Sequence, residues 1–414
     1  MKYLLLILFI AMGVQHQAFA QSWDDRNSSE NLDSPVTISD TYRGYPQRPF
    51  HVGVVYPLSS NGVAAADYVN KVSIHLFAGV ERGLNGVAFS GLANVDVSFV
   101  EGVQFAGITN VNAGDLLGAQ LAGIANVNAG YAQGLQMAGI ANVNGDSAVA
   151  GQFAGIVNIN AGSLTGAQFA GIANVNTTFT DGGQFAGVLN ISPGAVSGIQ
   201  AAGVANYASE IQGTQLAAVI NVAGKVRGAQ IGLLNIADSV DGVSIGFLSL
   251  VRHGYHRLEF SGSEALHTQM AIKLGVQHFY NIFSVGYHLS GNDPLTYGEE
   301  PTWAYGYGVG AEFNLGPTWR MNIDLTTFDV IEKENTFTNK KLNLLNQFRL
   351  NFGAQFGRSF TLVFGPSFNV MVSQLSGSDG FNIGSDIAPW TVYDRTHDGT
   401  NVKMWPGANI AIRF

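Results

Sequence analysis

One glutamine recurs every 16 residues through the middle of this chain, and an asparagine follows it six residues later each time. The glutamines are Gln104, Gln120, Gln136, Gln152, Gln168, Gln184 and Gln200. The asparagines are Asn110, Asn126, Asn142, Asn158, Asn174, Asn190 and Asn206. A fixed period of this kind is the signature of a repeat architecture, whose units bury a core only by stacking on their neighbours. This spacing constrains the fold more than any other feature of the sequence.

Glycine content argues against helical units. Gly102, Gly107 and Gly114 fall within one repeat, and each would cost a helix interior about 1 kcal/mol. A two-residue period fits better, because it places Gln104 and Ile108 on the same face of a strand. Each repeat is therefore predicted to be a strand, a turn and a shorter strand.

Residues 86–250 are predicted to form a parallel β-solenoid of roughly ten coils, one repeat to a coil. Equivalent side chains would then lie about 4.8 Å apart, and each amide could donate to one neighbour and accept from the other, forming a ladder. The alternative is one large membrane barrel that includes the repeats. Barrel walls carry aromatic girdles, whereas this stretch holds no tryptophan and, among tyrosines, only Tyr131 and Tyr207. The solenoid is the preferred prediction.

The N-terminal residues are typical of a secreted protein. Lys2, an apolar run and the sequence Ala18-Phe19-Ala20 predict a signal peptide over residues 1–20, cleaved before Gln21. Residues 21–48 are polar and are predicted to be a flexible leader, and residues 49–85 to be N-terminal strands or a cap. The chain has no cysteine, which excludes disulfides and a lipoprotein anchor.

Residues 251–414 have a different pattern, in which apolar and polar residues alternate along each strand. Phe348, Leu350 and Phe352 alternate with Arg349 and Asn351. Charged residues fall on the opposite parity from the bulky aromatics, which indicates an antiparallel outer-membrane barrel of about eight strands with a polar interior. Tight and long connections alternate between the predicted strands, as that architecture requires.

The last strand ends on a terminal aromatic residue. Ile410, Ile412 and Phe414 share one face of it. This ending resembles the insertion signature of outer-membrane barrels, which implies handling by the barrel-assembly machinery.

From about residue 50 to 414 the chain resembles the bacterial surface-repeat outer-membrane proteins. Those proteins carry tandem Gly-x-Gln-φ-x-Gly-φ-x-Asn units ahead of a strand-rich C-terminal region, as the repeats from Gly86 and the segment Phe364–Val370 do here. The resemblance implies a location in the outer membrane of a Gram-negative cell and a role at the surface. It implies no catalytic residues.

Candidate chemistry is sparse, and no catalytic, cofactor or metal site is predicted. Five histidines lack partners at ligand spacing: His253, His256, His267, His278 and His288. The turn acids are absent from most repeats, which argues against calcium: Asp115, Asp146 and Asp181. The strand glycines have no helix after them to hold a phosphate: Gly306, Gly308 and Gly310.

Two functions remain open. The first is a structural or interaction protein of the outer membrane, with an extended protein or glycan partner and 376–401 as its contact loop. The second is a pore or solute channel whose repeats form a plug or part of the wall. With only 12% charged residues, a nucleic-acid partner is not expected. A lipid-modifying enzyme is a weaker alternative, since no nucleophile-elbow motif is present. Because eight strands leave an interior filled by side chains, the first function is preferred.

Overall fold

A computed structural model describes residues 44–289, 302–332, 335–338, 340–357, 360–376 and 384–414. The predicted signal peptide, most of the predicted leader and the long connection at 290–301 lie outside the described residues. The chain divides into two compact units, Met1–Gly187 and Val188–Phe414. In the part of the chain that is described, no helix has the length and apolar character needed to cross a membrane.

The described part of the first unit is a stack of parallel strands with one short 3-10 helix, Gly62–Asp67. Its strands are β1 (Gln47–Val55), β2 (Leu58–Ser59), β3 (Val69–Ser90), β4 (Ala93–Ala106), β5 (Thr109–Asn112), β6 (Asp115–Ala122), β7 (Ala125–Asn128), β8 (Ala132–Ala138), β9 (Ala141–Asn144), β10 (Ala148–Ala154), β11 (Val157–Asn160), β12 (Leu164–Ala170), β13 (Ala173–Asn176) and β14 (Thr180–Ala186). Apart from the antiparallel β1–β2 pair, every strand pairs in parallel with its equivalent one coil away. The stacking begins at β1, ahead of the first repeat.

The register of strand pairing follows the repeat, so that residues at equivalent repeat positions pair between adjacent coils. Gln152 pairs with Gln136 on one side and Gln168 on the other. A shift of one residue would turn the glutamines to the opposite face of the strand. The register is therefore specified by burial of the amides.

Two glycine positions, kept in most repeats, allow the coils to approach, although Ala150 stands at the first position in one repeat and Ala218 at the second in another. Gly118 has φ +138°, and a Cβ there would lie 2.0 Å from the carbonyl oxygen of Gly102. At the bend between the two strands of a coil, a Cβ on Gly123 would lie 2.2 Å from the carbonyl oxygen of Gly107. This bend also corrects the predicted strand face. Because the chain turns there, Ile108 is exposed, whereas Gln104 is fully buried.

The second unit opens with further coils of the same kind. Their strands are β15 (Leu189–Ala202), β16 (Ala205–Ala217), β17 (Ile220–Ile231), β18 (Leu234–Ile245) and β19 (Leu248–Val251). The chain spacing shortens here, yet Asn206 still pairs with Asn221, and Gln215 with Gln230. Counted over both units, the coils make about 11 turns of parallel β-solenoid.

The rest of the second unit is a closed antiparallel barrel of eight strands, with a ninth strand paired at its rim. The strands are β20 (Tyr255–Ser263), β21 (Thr268–Val276), β22 (Phe279–His288), β23 (Thr302–Asn314), β24 (Trp319–Ile331), β25 (Asn343–Phe356), β26 (Phe360–Ser373), β27 (Tyr393–His397) and β28 (Thr400–Arg413). Strand β28 pairs with both β26 and β20, which closes the barrel. Strand β27 pairs with β28 alone.

The predicted all-β fold, a solenoid followed by an eight-strand barrel, is confirmed. The alternative of one large barrel is wrong, because the repeats pair in parallel with their equivalents one coil away, whereas membrane barrels are antiparallel. The predicted polar interior of the barrel holds over only part of its length. A buried apolar cluster fills the rest: Ala265, Leu266, Ala304, Phe328, Val330, Leu345, Met371, Ile387 and Trp405.

Candidate functional site

The repeated glutamines form a directional ladder inside the solenoid. In the first unit each Nε2 donates to the Oε1 of the glutamine one coil earlier, over 2.7–3.1 Å, from Gln184 back to Gln104. In the second unit Gln215 donates to Gln200, and Gln230 to Gln215, both over 2.8 Å. These side chains are fully buried, so each amide replaces its lost water contacts with contacts to its own kind.

The asparagines form a second ladder that points the other way. Asn110 Nδ2 donates to Asn126 Oδ1, which lies 2.9 Å away in the next coil. The same pattern continues to Asn174 in the first unit and from Asn190 to Asn235 in the second. Each Nδ2 also donates to a backbone carbonyl of the next coil, as Asn110 does to Leu121 over 2.9 Å. Because the two ladders run in opposite directions, their side-chain dipoles oppose each other.

The glutamine ladder has a different residue at each end. At the start, Gln104 Nε2 donates to Asp96 Oδ2, so that a carboxylate supplies the first acceptor. Burial and the nearby Glu81 raise the pKa of Asp96 well above its usual value. At the other end Ser244 stands in the glutamine position, and Gln230 Oε1 has no hydrogen-bond partner among the described residues.

Beside Asp96, the first coils enclose a buried cluster of titratable groups. Glu81 Oε2 accepts hydrogen bonds from Asn70 and Ser73, both at 2.6 Å, and lies 3.7 Å from His51 Nδ1. The rings of His51 and His75 meet edge to face, with centroids 4.4 Å apart. Neither ring nitrogen of His75 has a hydrogen-bond partner in the described structure. Burial, followed by the neighbouring His51, lowers the pKa of His75 to about 4.

The barrel interior holds a network of buried charges. Lys273 Nζ lies 2.9 Å from Glu259 Oε2 and 2.8 Å from Asp324 Oδ2. Arg413 Nη2 pairs with the same glutamate at 2.5 Å, and its Nη1 with Glu312 at 2.7 Å. All five side chains are almost completely buried. The groups come from β20, β21, β23, β24 and β28, so the network ties the barrel together across its interior.

Aromatic and amide groups complete this layer. Tyr280 Oη donates to Asp324 over 2.6 Å, and Tyr255 Oη donates to Glu312 over 2.7 Å. Arg349 donates to Gln269 and Gln347 further along the interior. Together with the apolar cluster, these side chains occupy the barrel interior, apart from a cavity of about 430 Å³ beside Tyr255, Glu312 and Arg320.

The remaining predicted residues lie as follows. Ile410, Ile412 and Phe414 point outward from β28 and its end, and the backbone of Phe414 exchanges two hydrogen bonds with Leu258. The predicted contact loop at 376–401 is described only in part, and its described part includes β27. The role of these residues in insertion or contact stays a prediction.

The histidines and turn acids have structural contacts. The rings of His267 and His288 are tilted against each other with centroids 4.5 Å apart, and His253 Nδ1 lies 3.1 Å from the carbonyl oxygen of Asp238. Asp115 Oδ1 accepts a hydrogen bond from the backbone N–H of Tyr131 in the next coil. Among the described residues, no group of three or more histidine and acidic side chains could hold a metal ion.

Sequence reasoning missed two sets of residues. Glu259 and Arg413 belong to the barrel network, and inward parity on β20 and β28 was the available signal for them. Glu81, His51 and His75 lie in coils that precede the repeat phrase, so no periodicity marked them. No family model matches this chain, and no match to it was found among curated proteins or solved structures.

Proposed function

We propose that the protein is a non-catalytic scaffold of the bacterial outer membrane. In this proposal the barrel anchors the chain in outer-membrane lipid after insertion by the barrel-assembly machinery. The solenoid then presents a regular surface to an extended protein or glycan partner. A surface of this kind suits binding through many weak contacts that repeat from coil to coil. Membership in the surface-repeat outer-membrane proteins, as the sequence suggests, would fit this role.

The filled barrel interior carries the proposal. Lys273, Tyr280, Trp405 and Arg413 are each no more than 1% exposed, and they cross the space that a solute would need. Eight-strand barrels are just wide enough for side chains to fill them. The outward faces of the same strands carry large apolar side chains, such as Leu325 and Phe348, as lipid contact requires. This combination supports an anchor over a channel.

Conductance across a planar bilayer tests the proposal. The purified full-length protein should insert without opening a stable channel of porin size, whereas a porin handled identically should conduct. Cell fractionation should recover the protein with the outer membrane. Stable porin-scale conductance would refute the scaffold and favour the pore, and recovery from the soluble fraction would refute the anchor.

A further inference from the structure

The outer surface of the solenoid has two ladders of exposed or half-buried apolar side chains, which together we call the apolar corner. One ladder is the residue after each glutamine: Phe105, Leu121, Met137, Phe153, Phe169 and Phe185 in the first unit. The other is the residue just before the second strand of each coil: Ile108, Ile124, Ile140, Ile156 and Ile172 in the first unit. Phe153, Phe169 and Phe185 stack with centroids 5.0 and 4.9 Å apart. Phe169 and Ile172 are 39% and 47% exposed. Contiguous apolar surface of this extent marks an interaction site.

Charge is absent from the apolar corner and concentrated on the opposite edge. No repeat contains Asp, Glu, Lys, Arg or His between the residue before its glutamine and the residue after its asparagine. In the second unit the charged residues of β16, β17 and β18 lie near the other end of the coil: Glu210, Lys225, Arg227, Asp238 and Asp241. These three coils are therefore amphipathic in cross-section.

The backbone at the corner is already hydrogen-bonded. The N–H groups of Gly123, Ile124 and Ala125 donate to carbonyls of the preceding coil over 3.2, 2.9 and 3.1 Å. The carbonyl of Leu121 accepts from Asn110. Inside a lipid bilayer every backbone polar group needs such an internal partner. A bend that faced water would have no such requirement.

In the second unit the apolar corner is continuous with the outside of the barrel. Its second ladder there is Val188, Val204, Val219, Leu233 and Phe247. The ring of Phe247 stacks on Tyr307 with centroids 4.8 Å apart and meets Phe283 edge to face at 6.4 Å. Both partners point outward from the barrel wall, among the residues that would face lipid.

The last coil also covers a polar side chain on the outer wall of the barrel. Asn281 lies on the outward face of β22 yet is fully buried. Its Nδ2 donates to the carbonyl of Gly246 over 2.8 Å, and its Oδ1 accepts from the N–H of Ser249 over 3.0 Å. The same Nδ2 also donates to Tyr307 Oη over 2.9 Å. The last coil thus completes the hydrogen bonding of this amide.

We propose that the apolar corner of the second unit lies in the acyl layer of the membrane that holds the barrel, with the charged edge of the same unit left in water. The occupant of this corner is lipid, because in the second unit the corner continues the outward, apolar surface of the barrel through Phe247. This inference rests on the proposed function, since it needs the barrel to be in a bilayer. It adds that a soluble partner would contact the charged edge.

Single-cysteine labelling tests this directly, because the chain has no cysteine of its own. Leu216→Cys samples the corner of the second unit, where Leu216 follows Gln215 and is 47% exposed. Gln212→Cys samples the exposed edge of the same strand, β16, about 13 Å away at 3.3 Å per residue. Phe348→Cys samples the outward face of the barrel. Each full-length variant carries an environment-sensitive fluorophore and is reconstituted in phosphatidylcholine vesicles. The quenchers are brominated acyl chains and aqueous iodide.

The corner label should lose fluorescence to brominated lipid as strongly as the barrel label, while the edge label responds to iodide. Val219→Cys repeats the corner measurement if Leu216→Cys does not fold. A corner label quenched by iodide, beside a lipid-quenched barrel label, would overturn the proposal and leave the proposed function intact. Protection from both quenchers would indicate contact with a second copy and would also overturn it. An iodide-quenched barrel label would refute the membrane anchor itself.

Discussion

The solenoid and the barrel bury polar side chains in different ways. In the repeats the buried groups are neutral amides, and each finds its partner one coil away, as Gln120 does in Gln104 over 2.9 Å. In the barrel the buried groups are charged, and Lys273 finds Asp324 from 51 residues away in the chain. The stack has translational symmetry, so that one side chain placed in every coil can satisfy its equivalents. The barrel interior has none, and each group there needs a partner of its own.

This difference predicts how each region responds to losing one partner. A buried charge left alone costs more than a buried amide left alone. The amide ladders should tolerate single changes that the ionic network does not. Three experiments test this comparison.

The largest effect is expected for Lys273→Met, which keeps the chain length and removes the charge. Glu259 would retain Arg413, but Asp324 would lose its cationic partner at 2.8 Å. Breaking a buried pair from one side costs about 3–5 kcal/mol. Urea unfolding followed by tryptophan fluorescence measures the loss.

The matched control is Lys340→Met, which removes an ion pair with Asp329 at the barrel surface, where the lysine is 47% exposed. A pair of this kind contributes about 0–1 kcal/mol. Equal losses in the two variants would contradict the view that burial sets the strength of the network.

The second experiment concerns the first coils, where the described solenoid encloses titratable groups instead of amides alone. Folding lowers the pKa of His75 from 6.5 to about 4. Between pH 6.5 and about 4, His75 is protonated in the unfolded chain but stays neutral in the folded chain. The free energy of unfolding therefore falls as the pH drops through this range, and it levels off below. The shift corresponds to about 3 kcal/mol at most. Asp96 acts in the opposite sense, since its raised pKa removes stability as the pH rises above 3.8.

His75→Leu isolates the histidine. Urea unfolding at pH 7, 5.5 and 4 should show a smaller loss on acidification in the variant than in the wild type. Identical pH profiles for the two proteins would show that the His75 ring is not held neutral by its surroundings.

The smallest effect is expected for Gln152→Leu in the middle of the ladder. Gln168 Nε2 would lose its acceptor, whereas Gln136 Oε1 would keep its bond from Asn144 at 2.9 Å. One unpaired buried amide costs about 1–3 kcal/mol. Hydrogen exchange in the coils on either side measures the change where it occurs.

Thr165→Leu on the exposed edge is the control and should stay within about 0.5 kcal/mol of the wild type. Faster exchange confined to the neighbouring coils is the expected pattern for Gln152→Leu. No difference between the two variants would mean that the ladder adds nothing to stability.

Periodicity made the solenoid predictable. Each Gln and Asn recurs in register with a glycine, and the glycine spacing excluded helix. Dyad alternation likewise predicted the barrel strands and put Lys273, Glu312 and Asp324 on the inward face. The exposed position of Ile108 was not predictable by parity, because a bend at Gly107 interrupts the strand and resets which way side chains point.

The sequence by itself determined the period, the strand content and the facing of most side chains, because these depend on neighbours within one repeat or one strand. Only the tertiary structure decided which charged groups meet inside the barrel. Glu259 and Arg413 are 154 residues apart, and their contact depends on closure of β20 against β28. It also decided the direction of the two amide ladders. Parallel stacking permits either direction for each ladder, and the backbone carbonyls that accept from each asparagine select one of them.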